Sequence, residues 1–224
     1  VVSEAGAKIC RSIAYTYSEP VTFYEYAYDT AVLAKKAGIK NVFKSNGYIY
    51  PEPLKKLCNV IDAANIDLKA FNEGTYLKLS GGKFQPVLDA LKIYLDSGVW
   101  LEITNLVVPT WTDKSEEIYR MCKWLSENGF KNVPVHFSRF YPTYKLEQLP
   151  PTPVDILNKA AQIASSEGLN YVYTGNVPGS EISDTKCPGC KTTLIVRQGF
   201  RVAENSLKDG KCPKCGKSID GVWN

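Results

Sequence analysis

The stretch SIAYTYSEPVTFYEYAYDTAVLAKKAG, Ser12 to Gly38, holds one complete strand-to-helix unit. Ser12 to Tyr17 is apolar and aromatic, as in a strand, and stops on Ser18, Glu19 and Pro20. Val21 to Lys36 follows a helical pattern, with Pro20 at its entry and Gly38 just past its end. A carboxylate after a buried strand needs a cation or hydrogen-bond donors. Glu19 is therefore either an acid at a helix N-terminus, where the helix dipole favours it, or part of a binding rim.

The same unit recurs outward from this stretch. Strands are expected at Ile39–Gly47, Ala64–Phe71, Val99–Pro109, Val133–Phe140 and Leu169–Asn176. Helices are expected from Pro51, after a cap at Asn72, over Pro86–Gly98 and Thr112–Gly129, and after a cap at Thr152. Val99–Pro109 is nearly all apolar, which predicts a strand covered on both faces. Alternation of strand and helix implies parallel pairing with right-handed crossovers, hence α/β class. A partial β/α barrel is the expected architecture and a doubly wound sheet its competitor. In both, chemistry gathers at the C-terminal ends of strands, which here carry Ser18-Glu19, Ser45-Asn46-Gly47, Asp67 with Lys69, Val107-Val108-Pro109, His136 with Arg139, and Gly175-Asn176.

Beyond Gly179 the rhythm stops. CPGC (Cys187, Cys190) and CPKC (Cys212, Cys215) offer four thiolates from two tight turns, the pattern of a closed tetrahedral metal site. A structural zinc ribbon is expected, with an iron site and disulfides as the alternatives, and TLIVRQGFRV between the pairs reads as a hairpin. The expected domains are 1–179 and 180–224. Cys10, Cys58 and Cys122 have no partners at ligand spacing and are expected to be buried thiols.

The 224 residues are 44% hydrophobic and 22% charged, enough for a globular core, and a net charge of +4 without long single-sign runs gives no argument for nucleic acid. No apolar run approaches the roughly 18 residues of a membrane-spanning helix, so no membrane association and a cytoplasmic location are expected. No glycine-rich phosphate loop, HExxH or GxSxG occurs, which removes support for nucleotide kinases, zinc proteases and serine hydrolases. Taken singly, each rim residue has a plain structural reading: Asp67 and Lys69 as an ion pair, His136 as a hydrogen-bonded core residue, SNG as a turn. A Schiff-base lysine at Lys69 is a further alternative.

Together, SIAYTYSEPVTFYEYAYDTA, NVFKSNGY, AANIDLKAF, LEITNLVVP, VPVHFSRFYPTYK, PPTP, YVYTGNVPG and the cysteine pairs resemble the radical S-adenosylmethionine (SAM) proteins related to pyruvate formate-lyase activating enzyme, and among them the AmmeMemoRadiSam-system branch. The resemblance implies a partial six-stranded β/α barrel carrying SAM and a [4Fe-4S] cluster. It places Ser18 and Glu19 at the methionyl ammonium, Ser45 and Asn46 near the methionine portion, and Asp67 and Lys69 at the ribose and carboxylate. Val108 would lie beside the adenine and His136 near the adenosine. Two departures stand out. Lys44 occupies a position where the group often has an aspartate serving a cation, and no CxxxCxxC cluster motif occurs in the chain. With Val1 in place of an initiating methionine, the expectation is an N-terminally truncated chain whose first strand and cluster loop lie upstream. The implied activity is reductive cleavage of SAM to a 5′-deoxyadenosyl radical, with hydrogen abstraction from an unknown protein or small-molecule substrate and electrons from a donor such as ferredoxin or flavodoxin. The alternative is a degenerate barrel and ribbon acting as a binding or scaffolding module.

Overall fold

A computed structural model describes residues 1–177, 179–199 and 201–223. Two compact units divide the chain, Val1–Thr104 and Asn105–Asn224. Six strands form one parallel sheet in the order β1 to β6, with β1 and β6 at its ends: β1 Ser12–Tyr15, β2 Lys40–Ser45, β3 Ala63–Asp67, β4 Trp100–Val107, β5 Val135–Arg139 and β6 Val172–Gly175. The α/β class and sequential parallel order are those expected from the alternating pattern.

In the first unit, helices α1 Val2–Ala7, α2 Tyr24–Lys36, α3 Pro51–Cys58, α4 Glu73–Ser80 and α5 Gln85–Asp96 accompany β1 to β4. Pro20–Phe23 forms a short 3-10 turn before α2, so the α-helix begins later than Val21. Ala27, Thr30, Ala31 and Ala34 make the buried stripe of α2; their small size lets the helix lie close to β2. Asn72 caps α4 as expected, its Oδ1 accepting from the Thr75 amide at 2.9 Å. Burial alternates along β2, β3 and β4. Phe43, Ala64, Ile66, Leu101 and Ile103 are buried on one side, while Lys44, Asn65, Asp67, Glu102 and Thr104 take the other. This corrects the expectation that β4 is covered on both faces: Trp100, Glu102 and Thr104 are only half-buried.

One buried amide ties this unit together. The Asn41 side chain donates to the Ala31 and Val60 carbonyls, both at 2.9 Å, and accepts from the Tyr15 hydroxyl at 2.9 Å. Burial, and then the nearby Tyr26, push the Tyr15 phenol up to about 12, so it stays a neutral donor.

The second unit holds the rest of β4, then β5 and β6, α6 Ser115–Glu127 and α7 Val154–Ser166. Val107, Met121, Leu125, Phe130, Val135, Phe137 and Leu157 form its interior. Thr152 does not cap α7, which starts at Val154 with Pro153 in the N-cap position and no side-chain cap. Its buried hydroxyl instead donates to the Val107 carbonyl at 2.5 Å and accepts from the Phe140 amide at 3.0 Å, latching the end of β5 to the end of β4. An antiparallel sheet follows, in the order β7 Thr185–Lys186, β8 Thr193–Gln198 and β9 Arg201–Asn205. The β8–β9 pair is the expected hairpin. Cys58 and Cys122 are buried, and burial pushes the Cys122 thiol up to about 12, whereas Cys10 is exposed, against expectation. Among the described residues no helix is long and apolar enough to cross a membrane.

Two stability measurements check this account. Replacing Asn41 with Leu leaves two carbonyls and a hydroxyl unpaired in the interior and should cost about 3 kcal/mol or more in urea unfolding, against about 1 kcal/mol for Tyr15→Phe. Gly38 and Gly47 share positive φ, at 73° and 71°, but an added Cβ meets nothing at Gly38 and lies 2.7 Å from Ile66 Cγ2 at Gly47. Gly47→Ala should therefore be the costlier substitution by about 1 kcal/mol or more.

Candidate functional site

In the first unit, the ends of β1 and β2 meet at Glu19. Its Oε1 accepts from the Val21 amide at 3.2 Å and the Ser45 hydroxyl at 2.7 Å, and its Oε2 accepts from the Asn46 amide at 2.8 Å. Glu19 is thus both the N-cap of the 3-10 turn and a bridge between strand ends. A carboxylate offers about four acceptor positions, and three are taken by neutral donors. The negative charge has no cationic partner among the described salt bridges and is half-buried. The donor set fits a ligand ammonium as the remaining partner. Ser18 precedes it and is exposed. Gly47 lets the chain turn sharply beside Ile66 while its amide donates to Ser45 Oγ at 3.0 Å.

The next strand end carries charge of the other sign. Asp67 is paired with both Lys44 and Lys69, the latter at 3.1 Å. Lys44 Nζ also donates to Asn65 Oδ1 at 2.8 Å, which in turn accepts from the Thr104 hydroxyl at 2.8 Å. Two ammonium groups around one carboxylate leave a net positive group suited to a ligand carboxylate. Lys44 is held by two acceptors, whereas Lys69 is held by Asp67 and has a 41% exposed side chain, so Lys69 is the freer of the two to turn toward a ligand. Lys44 and Asn65 were not among the expected site residues. Their signal was the strand register, which places Lys44 beside Asn65 and Asp67 beside Thr104 on one face.

In the second unit, Val108 is buried at the end of β4, its amide donating to the Thr112 hydroxyl at 2.8 Å. His136 lies in β5 opposite Tyr173 of β6, and the two rings stack with centroids 5.2 Å apart.

The four cysteines of the C-terminal part gather as their spacing predicts. Their sulfurs all lie within 4.8 Å of one another, with Cys187 to Cys215 at 3.5 Å and Cys190 to Cys212 at 3.7 Å. The two turns repeat one design. The Lys191 amide donates to the Cys187 carbonyl and the Gly216 amide to the Cys212 carbonyl, both at 2.9 Å, and Lys191 and Gly216 both have positive φ. Hydrogen bonding with Thr192, through its side chain first and then its backbone, holds the Cys190 thiol down to about 6, favouring the thiolate that binds metal. Among the described residues this is the one group of three or more metal-binding side chains. Cys10, Cys58 and Cys122 do not come together, so the described residues outside the ribbon hold no ligand set for an iron-sulfur cluster.

Known proteins bear on these arrangements. Residues 1–137 match the family described as the Radical SAM superfamily. An uncharacterized protein of Methanocaldococcus jannaschii is 42% identical over 215 residues, 95% of this chain and 64% of that protein. The chain therefore spans less than two thirds of that relative's length. The pyruvate formate-lyase 1-activating enzyme of Escherichia coli K12 is 24% identical over 167 residues, 69% of this chain and 68% of the enzyme. In fold, a domain of the pyruvate-formate lyase-activating enzyme from Bacteroides vulgatus matches with a TM-score of 0.64 at 12% identity, covering 74% of this chain and 99% of that domain. With the parallel six-stranded sheet and a family match across residues 1–137, the chain belongs to the radical SAM superfamily.

Proposed function

We infer that the chain is the SAM-orienting part of a radical SAM enzyme of the activating-enzyme type. The observation that carries this reading is Glu19, whose half-buried carboxylate is set by donors from its own turn and from the end of β2 and has no cationic partner among the salt bridges of the described residues. Ser18, Glu19, Ser45 and Asn46 would hold the amino-acid end of SAM, with Glu19 accepting from its ammonium. Lys69 would turn from Asp67 to the carboxylate, while Asp67, kept in place by Lys44, would accept from the ribose hydroxyls. Val108 would pack on the adenine and His136 would face the adenosine. When bound, the cofactors supply reductive cleavage of SAM and a radical that abstracts hydrogen from the substrate. The chain's own contribution is orientation of charged ends and exclusion of water. The substrate class suggested by the activating-enzyme relatives is a protein, with a small electron-transfer protein as reductant. Cluster ligands would come from outside these 224 residues.

Residues 180–224 are read as a separate ribbon domain with one structural metal ion. Around a single zinc ion with bonds of about 2.3 Å, tetrahedral sulfurs stand about 3.8 Å apart, close to the two distances above. A cubane cluster would hold its thiolates farther apart, and four protein ligands leave no open position, so the role assigned is structural. The absence of a cluster ligand set among the described residues favours a second reading, a binding module that retains the barrel without its chemistry.

SAM binding to the chain, measured by equilibrium dialysis, should be saturable and should weaken about tenfold or more in Glu19→Gln, as loss of one charge-assisted hydrogen bond requires. Unchanged affinity would overturn the assignment of Glu19. The natural protein containing the chain, loaded with iron and sulfide under reducing conditions, should release 5′-deoxyadenosine; a loaded cluster without that product would select the module. One equivalent of zinc per chain should be found at the ribbon and released by acid, since protons compete for the four thiolates, whereas Cys187→Ser should lower the retained metal.

A further inference from the structure

The ribbon and the end strand of the parallel sheet share one interior. Tyr171 and Tyr173 lie two residues apart and so on one face of the chain entering β6. Tyr171 is buried in a cluster with Cys187, Leu194, Ile195, Cys212 and Ile219, and its hydroxyl donates to Asp220 Oδ2 and accepts from the Asp220 amide, both at 3.0 Å. Tyr173 packs against the same cluster. Its hydroxyl is hydrogen-bonded to Thr185 Oγ1 at 3.0 Å, and the Arg197 guanidinium lies 5.5 Å from its ring centre. Arg197 is itself fixed from three sides, by Thr185 Oγ1 at 2.8 Å, the Ser183 carbonyl at 2.9 Å and, through its amide, Asp184 Oδ1 at 2.8 Å. Thr185 stands two residues before the metal-site residue Cys187, and the ring of Tyr173 stacks on His136.

We propose that Tyr173 is a positioning residue through which the metal-closed ribbon sets the His136 ring. Two of the six residues in the shared cluster are site cysteines, Cys187 and Cys212, so this small interior is closed by the metal as much as by apolar packing. Without the ion, Thr185 and Arg197 lose the frame that holds them, and the Tyr173 ring loses its hydroxyl anchor and the cation on its face. A cavity of about 520 Å³ lined by Tyr171, Tyr173, Asp184, Lys186 and Cys187 gives that ring room to move. His136, stacked on it, then changes its orientation. The ribbon is thus coupled to a residue at the start of β5, not at the C-terminal strand end where the sequence pattern put His136, and the metal has a consequence beyond the fold of the ribbon. The functional meaning of the coupling rests on His136 facing SAM, whereas the coupling itself does not.

His136 is the single histidine of the chain, so in protein purified without a histidine tag its imidazole C–H signal in NMR is unambiguous. Removal of the metal by a chelator, with its release quantified, should displace that signal by more than its linewidth. Thr185→Val and Tyr173→Phe, each still holding metal, should displace it too, and Gln198→Ala on the exposed hairpin should not. A His136 signal unmoved by chelation and by both metal-retaining variants overturns the proposal, and either variant decides if the other fails to fold. SAM affinity separates the two readings. A displaced signal with unchanged affinity upholds the coupling and removes His136 from the SAM site; a displaced signal with weakened affinity supports both.

Discussion

The first unit depends on how a half-buried carboxylate just past the end of β1 is satisfied, although β1 itself buries only Tyr15 and is not the buried strand that its apolar run suggests. Glu19 cannot be left without donors at half-burial, and it takes them from the neighbouring strand's end, Ser45 and Asn46, as well as from its own turn at Val21. That choice fixes where β1 stops relative to β2 and orients the amides of the turn that follows β2. It also decides the chemistry. Neutral donors stabilise the charge without cancelling it, so a half-buried negative group stands where a ligand's ammonium can complete it.

Strand alternation does the same work one strand further on. In β2 and β3 the odd-even pattern sends Phe43, Ala64 and Ile66 to the buried side and leaves Lys44, Asn65 and Asp67 on the other, in adjacent register. Lys44 comes to lie between an amide oxygen and a carboxylate oxygen, a setting that elsewhere would suit a metal cation, and supplies that positive charge from the protein itself. Asp67 is thereby held by a residue on the neighbouring strand, which leaves the more exposed Lys69 free to exchange partners. Opposite charges past the ends of β1 and β3, negative at Glu19 and net positive around Asp67, match a zwitterionic amino-acid group better than either charge alone.

The sequence made much of this legible because local rules were obeyed. Pro20, Asn72, Gly38 and Gly47 mark turns and caps whose chemistry is nearly independent of context, and two CxxC pairs define their own turns. What escaped was set by partners distant in sequence. Thr152 looked like a helix cap and became a latch on Val107, forty-five residues away. The run around β4 looked doubly covered, yet its apolar count hid Glu102 and Thr104 on the half-exposed face. In the sequence Lys44 stands out only as a departure from a family pattern; its partners follow from register, which composition does not contain. Cys10 was expected inside because thiols usually are, but it follows the exposed Lys8 and Ile9 at the end of α1.

The ribbon shows why a boundary in sequence is not always a boundary in packing. Its antiparallel sheet is small, and β9 is exposed along its whole length, so the apolar area it can bury by itself is limited. Two remedies are built in. Four thiolates able to hold a metal replace part of a hydrophobic centre, and Tyr171 and Tyr173 are lent by β6 and the residue before it. Each remedy makes the other necessary, because aromatic rings packed on an open cysteine cage would have little to press against. A ribbon that needs side chains from its neighbour to close its core is also one whose state its neighbour feels, and His136, stacked on the outer of those two tyrosines, is where that effect reaches β5.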